Sequence, residues 1–356
     1  MPESSRTQDL GKSGESQALL RWYDLRKRDL PWRQSLDPYR IWLSEVMLQQ
    51  TQVQTVIPYF QAFLKKFPTV DALAAADVEE VMASWSGLGY YRRARQLHEA
   101  AQQVSRQGSF PETAAALIEL PGIGAYTAAA VASIAFGEKV AVLDGNVERL
   151  LCRLLAAPGD PKKSALRRRL LEGATRLLTE ERPGDGNQAM MELGATVCLP
   201  RKPLCGECPL ATSCAARFEG EPERYPPPKQ RRKTERIHLS VAIVRDRGQE
   251  LFFRRAADAP FLPKMWELPS VPFMEDMDKL AQAFAVAYGG RWQLQEASYE
   301  VRHGITYRSL RLHVHHAVLQ SNNQLAEGPE AAWLGPEDRP RYAISSMYEK
   351  VLKKAT

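Results

Sequence analysis

Cysteine is scarce in this chain, at five in 356 residues, and the chain carries no signal for the oxidising compartment that disulfides need. Long apolar runs are missing as well. None reaches the roughly 18 residues that span a bilayer. The most apolar window, Ala125 to Phe136, lies inside the chain behind Pro121 and Gly122. The polar start lacks the apolar core of a secretory signal and the basic amphipathicity of a transit peptide. Residues 1–16 are expected to be disordered. These absences exclude a membrane role and point to a cytoplasmic protein. Acidic excess is also lacking. The net charge is +6 and the pI is near 9.0, so a polyanionic partner fits. The basic residues cluster at Arg92, Arg93 and Arg95, at Lys162 to Arg169, and at Lys229 to Arg236. A single such run is usually a solvated helix face, and three of them shift the balance modestly towards nucleic acid.

Where cysteine does occur it is concentrated. Cys198, Cys205, Cys208 and Cys214 form a Cys-x6-Cys-x2-Cys-x5-Cys stretch too short and Pro-broken to bury a core. Four soft ligands on one loop suit a [4Fe–4S] cluster, each iron taking one sulfur. Structural zinc is the alternative, yet it usually shows two short Cys-x2–4-Cys knuckles, and only Cys205–Cys208 is such a pair. Ligand type and spacing favour iron–sulfur. Cys152, the fifth, reads as a small buried apolar residue.

Length suggests two or three domains. From Gln17 to about Phe218, apolar positions recur at three and four residues, as in Ile41–Gln52, Val56–Phe67, Ala94–Val104 and Leu166–Leu178. Residues 219–236, rich in proline and charge, read as a basic linker. Beyond them, Ile237–Val244, Glu250–Arg255, Ser298–Val301 and Arg308–Val318 read as strands, with helices at Lys279–Tyr288 and Ser346–Lys354. An all-α module is thus followed by a smaller α+β module.

Within the first module, Leu120-Pro-Gly-Ile-Gly-Ala-Tyr-Thr127 joins two helical stretches, Glu112–Glu119 and Ala125–Phe136. Gly122 and Gly124 allow a tight turn and close approach, and the following helix N-terminus suits a phosphate. An ordinary helix–helix turn is the competing reading, though Leu120 and Ile123 would pin such a hairpin to its helices. Asp144, between an apolar run and Gly145, is either a helix cap, a carboxylate presented to a cleft, or both. Glu45 sits in the otherwise apolar helix Ile41–Thr51, where it either points at solvent, as most such residues do, or is buried, and burial would keep it protonated. One protonated and one ionised carboxyl suit scission of a glycosidic bond through an oxocarbenium-like transition state.

Taken in order, LPWR, WLSEVMLQQTQV, GLGYYRRARQLH, LPGIGAYTA, VLDGNVER, NQAMMELGATVC and the cysteine loop resemble the endonuclease-III superfamily of DNA glycosylases, and within it the A/G-specific adenine glycosylases of the MutY type. The resemblance runs from about residue 17 to the end, more loosely in the last third. It implies an all-α helix-hairpin-helix glycosylase module at 17–218, with the hairpin at 113–136 and a [4Fe–4S] loop at 198–214. A Nudix-like recognition domain follows at 237–356. It also implies double-stranded DNA carrying A·8-oxoG or A·G mispairs as the partner, a monomer, and a bacterial, nucleoid-associated setting. Glu45 would be the general acid, Asp144 the stabiliser or captor of the oxocarbenium ion, and Tyr126 and Asn146 their aides. Arg28, Leu30, Trp32, Val53 and Gln188 would line the adenine pocket. Gln50 and Tyr90 would wedge into the base stack, and Thr51 would touch the orphaned base.

Tyr126 stands where lyase-type relatives carry an attacking lysine, which implies a monofunctional enzyme. A bifunctional pyrimidine-lesion glycosylase and a non-catalytic damage binder are the alternatives. Tyr126 and the second module argue against the former, and the presence of both Glu45 and Asp144 against the latter. The Gly-x5-Glu-x7-Arg-Glu-x2-Glu-Glu run of pyrophosphate hydrolases is missing, which argues against that activity. Where many relatives carry Phe-Ser-His on the loop that senses 8-oxoguanine, this chain has Ile305-Thr306-Tyr307, so Thr306 and Tyr307 are the candidate lesion contacts, with a plain β-hairpin packing loop as the competing reading.

Overall fold

The computed structural model describes residues 13–228, 233–325 and 330–355. They form two compact units, one drawn from Met1–Ala74 with Gln96–Gln230, the other from Ala75–Arg95 with Arg231–Thr356. Among the described residues no helix is long and apolar enough to cross a membrane.

The helices run α1 (Ser13–Arg26), α2 (Pro38–Leu48), α3 (Val53–Lys66), α4 (Val70–Ala75), α5 (Val78–Ser84) and α6 (Arg92–Gln107), then α7 (Ala114–Leu117), α8 (Ala125–Ala135), α9 (Gly145–Leu154), α10 (Ser164–Arg176), α11 (Pro183–Thr196) and α12 (Ala215–Phe218). Helix α1 begins at Ser13, so residues 13–16 are helical where a disordered start was expected; residues 1–12 lie outside the described residues. The cause is docking: Leu19 and Tyr23 are buried and the Ser16 hydroxyl donates to the Arg176 carbonyl at 3.5 Å. Helix α2 opens on the pair that favours a helix start, a capping aspartate followed by proline. Asp37 accepts from the Tyr39 N–H at 2.9 Å. Every residue of α2 from Ile41 to Met47 is buried, so this helix threads the unit and carries Glu45 inside it.

The hairpin forms as expected, although its first helix is only α7. Thr113 caps α7, and Leu120 and Ile123 are buried. Gly122 has φ 75°, and a Cβ there would lie 2.5 Å from the Cβ of Gln96. Both constraints select glycine. Helices α8 to α11 and the stretch Ala141–Leu143 enclose one core. Tyr225, inside the expected linker, is buried in that core, so the linker is anchored at its start; residues 229–232 lie outside the described residues.

The second unit is a mixed sheet of β1 (Glu235–Asp246), β2 (Gln249–Arg254), β3 (Trp266–Glu267), β4 (Ser270–Pro272), β5 (Gly289–Leu294), β6 (Tyr299–Ile305), β7 (Arg308–Leu325) and β8 (Ala331–Leu334), with α13 (Met277–Tyr288) and α14 (Ser346–Ala355). β1 and β7 pair in parallel at its centre, from Glu235 opposite Arg308 to Val244 opposite Ala317. Alternation of β1 sends Val241 and Ile243 into the core beside α14, and Ala242 and Val244 into the core beside α13. Residues 75–95, inside the stretch read as the helical module, pack with this sheet. The Ser86 hydroxyl donates to the Ile344 carbonyl at 2.6 Å, the Arg95 guanidinium donates to Pro263 at 2.7 Å, and Glu79 pairs with Arg254.

Candidate active site

A cavity of about 640 Å³ opens within the helical unit, and its wall includes Glu45, Tyr126, Asp144 and Asn146. Glu45 is 5% exposed. Its Oε2 accepts the Tyr126 hydroxyl at 2.5 Å. Burial pushes its carboxyl up to about 7, the Tyr126 bond opposes this, and the neighbouring Asp144 adds to it. A carboxyl in this state is protonated over part of the neutral range and can give up its proton. The Tyr126 hydroxyl also approaches the Met191 sulfur at 3.1 Å, and burial holds the phenol well above its usual range.

Asp144 is the N-cap of α9. Its Oδ1 accepts from the Asn146 and Val147 N–H groups at 3.0 and 2.7 Å, and its Oδ2 from the Asn146 side-chain amide at 3.0 Å. Burial raises its carboxyl above the ordinary value, and these three donors pull the other way. The dipole end of α9 favours the same ionised form. Cap and cleft carboxylate, which the sequence allows together, coincide. Asn146 is itself oriented. Its Oδ1 accepts from Arg149 at 2.9 Å, and Arg149 also donates to the carbonyls of Gly194 at 2.7 Å and Cys198 at 2.8 Å.

Arg28, Leu30, Trp32, Val53 and Gln188 all line the same cavity, as do Gln50, Thr51, Gly122 and Gly124. Trp32 is held edge-on against Phe60 at 5.5 Å. Gln50, just past the end of α2, has φ 58°, an uncommon conformation for a side chain other than glycine, asparagine or aspartate. Tyr90, Thr306 and Tyr307 belong to the second unit. Tyr90 is 42% exposed with φ 50° and lies under the Arg93 guanidinium at 5.3 Å. Thr306 and Tyr307 form the two-residue loop between β6 and β7, whose last pair is Ile305 with Arg308.

One further cavity residue, Glu192, carries a signal that is not local in the sequence. Glu192 of α11 is 1% exposed and lines the cavity. Its Oε1 accepts from Arg28 Nε at 2.7 Å, and its Oε2 from Arg28 Nη2 at 2.9 Å and Arg33 Nη2 at 2.8 Å. Those bonds outweigh burial and hold its carboxyl below the ordinary value. A glutamate inside the apolar run Met190-Met191-Glu192-Leu193 is the same oddity that marked Glu45. The missing part of the signal was its partners, some 160 positions away.

Cys198, Cys205, Cys208 and Cys214 face one small pocket with Leu150, Val197 and Pro203. All are unbridged. Burial pushes the Cys208 thiol up to about 12 and raises Cys214; the cysteines raise one another, while backbone N–H groups of Leu210, Ala216 and Arg217 pull down. Ionised together around one pocket, these four sulfurs would need a compensating cation, and N–H donors already face them. Arg153, 2% exposed, donates to the Cys198 sulfur at 3.4 Å and to the Leu199 and Pro200 carbonyls at 2.6 and 2.9 Å. This donor set fits a [4Fe–4S] cluster. Cys152 is buried, as expected, with its thiol pushed up to about 11.

Three family models match the chain. They are the HhH-GPD superfamily base excision DNA repair protein at residues 43–176, the iron-sulfur binding domain of endonuclease III at 198–214, and a NUDIX domain at 240–354. Human adenine DNA glycosylase is 36% identical over 94% of this chain and 73% of its own length. The adenine DNA glycosylase of Mycobacterium tuberculosis is 38% identical over 68% of this chain and 79% of its own length. A thermostable thymine-DNA glycosylase of known structure superposes with a TM-score of 0.52 at 30% identity, over 57% of this chain and 95% of its own. With its cluster-bearing loop and its carboxylate pair inside one cavity, the chain belongs to the adenine DNA glycosylase family of base excision repair enzymes.

Proposed function

We propose that this glycosylase hydrolyses the N-glycosidic bond of adenine mispaired with 8-oxoguanine, or with guanine, in duplex DNA, acting as a monomer at the nucleoid and leaving the strand intact. The convergence of Glu45, Tyr126, Asp144 and Asn146 on one cavity carries this reading. Extruding the adenine costs a few kcal/mol, least where pairing is already abnormal. Arg28, Leu30, Trp32, Val53 and Gln188 surround the flipped base. Glu45 gives its proton to adenine N7, and the C1′–N9 bond breaks with its electron pair leaving on the base. The Asp144 carboxylate steadies the resulting oxocarbenium ion, or bonds to C1′ until water replaces it with retained configuration. Water supplies hydroxide to C1′, and its proton returns to a carboxylate.

Gln50 and Tyr90 fill the stack left behind, and Thr51 faces the orphaned base. Cys198, Cys205, Cys208 and Cys214 would hold the [4Fe–4S] cluster, which would tie down the loop that carries Arg201 and Lys202 and would supply no hydrolytic chemistry. A tyrosine cannot form a Schiff base. The test is a single-turnover assay of purified protein on an end-labelled A·8-oxoG duplex. Abasic product that breaks only after alkali is expected; strand scission keeping pace with base release would refute the reading. Affinity for that duplex should fall at least about tenfold between 50 and 200 mM salt, because phosphate contacts dominate binding. A flat response would remove the electrostatic argument.

Thr306 supports the lesion-sensing half of the proposal. It is β-branched yet has φ 56°, and its hydroxyl donates to its own neighbour, the Ile305 carbonyl, at 2.7 Å. Such a conformation costs on the order of 1 to 2 kcal/mol, which glycine would relieve. Thr306→Gly should therefore leave the fold as stable or more so, while lowering the preference for A·8-oxoG over A·G. An unchanged preference removes Thr306 from lesion recognition.

A further inference from the structure

Asp144 is delivered by residues 137–144, which are neither helix nor strand. Such a stretch has no ladder of its own, so its buried backbone groups need partners from elsewhere. Asn187 of α11 supplies them. Its Oδ1 accepts from the Val142 N–H at 3.0 Å, and its Nδ2 donates to the Val140 carbonyl at 2.8 Å and to the Ser133 hydroxyl at 2.9 Å. Asn187 and Val142 are both 0% exposed. The reach is set by Gly184, nearly one turn earlier in α11. A Cβ there would lie 2.6 Å from the Ser133 carbonyl oxygen and 2.7 Å from the Ile134 Cα, so α11 and α8 meet backbone to backbone.

One amide therefore joins three elements. Ser133 belongs to α8, whose first turn carries Tyr126; the residue next to Asn187, Gln188, lines the cavity; and Val142 stands two positions before Asp144. Only an amide serves all of these bonds, since the site needs one acceptor and two donors on a short planar group. We infer that Asn187 is a positioning residue for base release, holding the Asp144 carboxylate in register with the helix that carries Tyr126. The inference rests on the role of Asp144 proposed above.

Asn187→Asp keeps the shape and the acceptor but removes both donors. Single-turnover rate constants with enzyme in excess, active-site titration, and binding of a duplex holding a non-hydrolysable 2′-fluorinated adenosine opposite 8-oxoguanine separate the possibilities. A purely structural loss lowers the fraction of active molecules and leaves their rate constant alone. A positioning loss lowers the rate constant itself, here by about 100-fold, with affinity for the fluorinated duplex held within about threefold. An unchanged rate constant overturns the inference, whatever the active fraction. Should Asn187→Asp not fold, Ser133→Ala frees the same amide from α8 alone. It is expected to slow release by about tenfold, and an unchanged rate would overturn the inference. Asp144→Asn, measured in parallel, keeps the two readings apart: full activity there sinks the role of Asp144, whereas loss there with none in the Asn187 and Ser133 variants sinks only this one.

Discussion

Asp144→Asn should abolish adenine release, by at least about 1,000-fold, in a protein that folds and binds DNA as before. The separation of effects comes from the double duty of this residue. As a cap it accepts the N–H groups of Asn146 and Val147, and an asparagine oxygen accepts them equally well. As a carboxylate it places a full negative charge in the cavity, and asparagine has none. Helix α9 and the core behind it therefore keep their anchor while the oxocarbenium ion loses its counter-charge. The second oxygen of Asp144, bonded to the Asn146 amide, becomes an amide group facing another amide donor in the variant. A single-turnover assay, with thermal unfolding alongside, reads both halves. Loss of less than tenfold, or collapse of the fold, would show that the cap was the whole of its role.

Much of this arrangement could be read from the sequence, for a definite reason. Glu45 and Asp144 each break a local rule, one as a carboxyl inside an apolar helix and the other as an acid closing an apolar run, and such violations are visible within a window of ten residues. The four cysteines are equally local. What escaped depends on distant partners. Glu192 violates the same rule as Glu45, yet its meaning lies in Arg28 and Arg33 from another part of the chain. Asn187 stands in a stretch whose letters look like ordinary amphipathic helix. The short strands β3 and β4, of two and three residues, hold too little alternation to register. Residues 75–95 look helical because part of them is; only their contacts assign them to the sheet. Tyr225 was hidden among prolines and charges, where one buried aromatic carries no periodic signal.

The pH profile of base release should be bell-shaped, and its alkaline side belongs to Glu45. Burial raises this carboxyl to about 7, with Asp144 adding and Tyr126 opposing. The acid form is the proton donor. The rate constant should hold below that value and fall by about tenfold per unit above it. On the acid side activity needs ionised Asp144, whose carboxyl is also raised by burial, so the rate falls again as that group takes up a proton. Because the Asp144 charge raises Glu45, the two apparent values belong to the pair. The same shift bears on stability. An unfolded chain ionises Glu45 near 4.5, while the folded one holds its proton until about 7. Its contribution to stability is fully present below the lower value and is lost as pH rises through the upper one, by about 3 kcal/mol in all. Glu45→Gln removes both effects at once. The variant should be slower by orders of magnitude at every pH, with the alkaline limb gone, and its unfolding free energy should decline less between pH 4.5 and 7. If the limb persists in Glu45→Gln, or if wild-type release stays constant well above pH 7, the proton comes from another group.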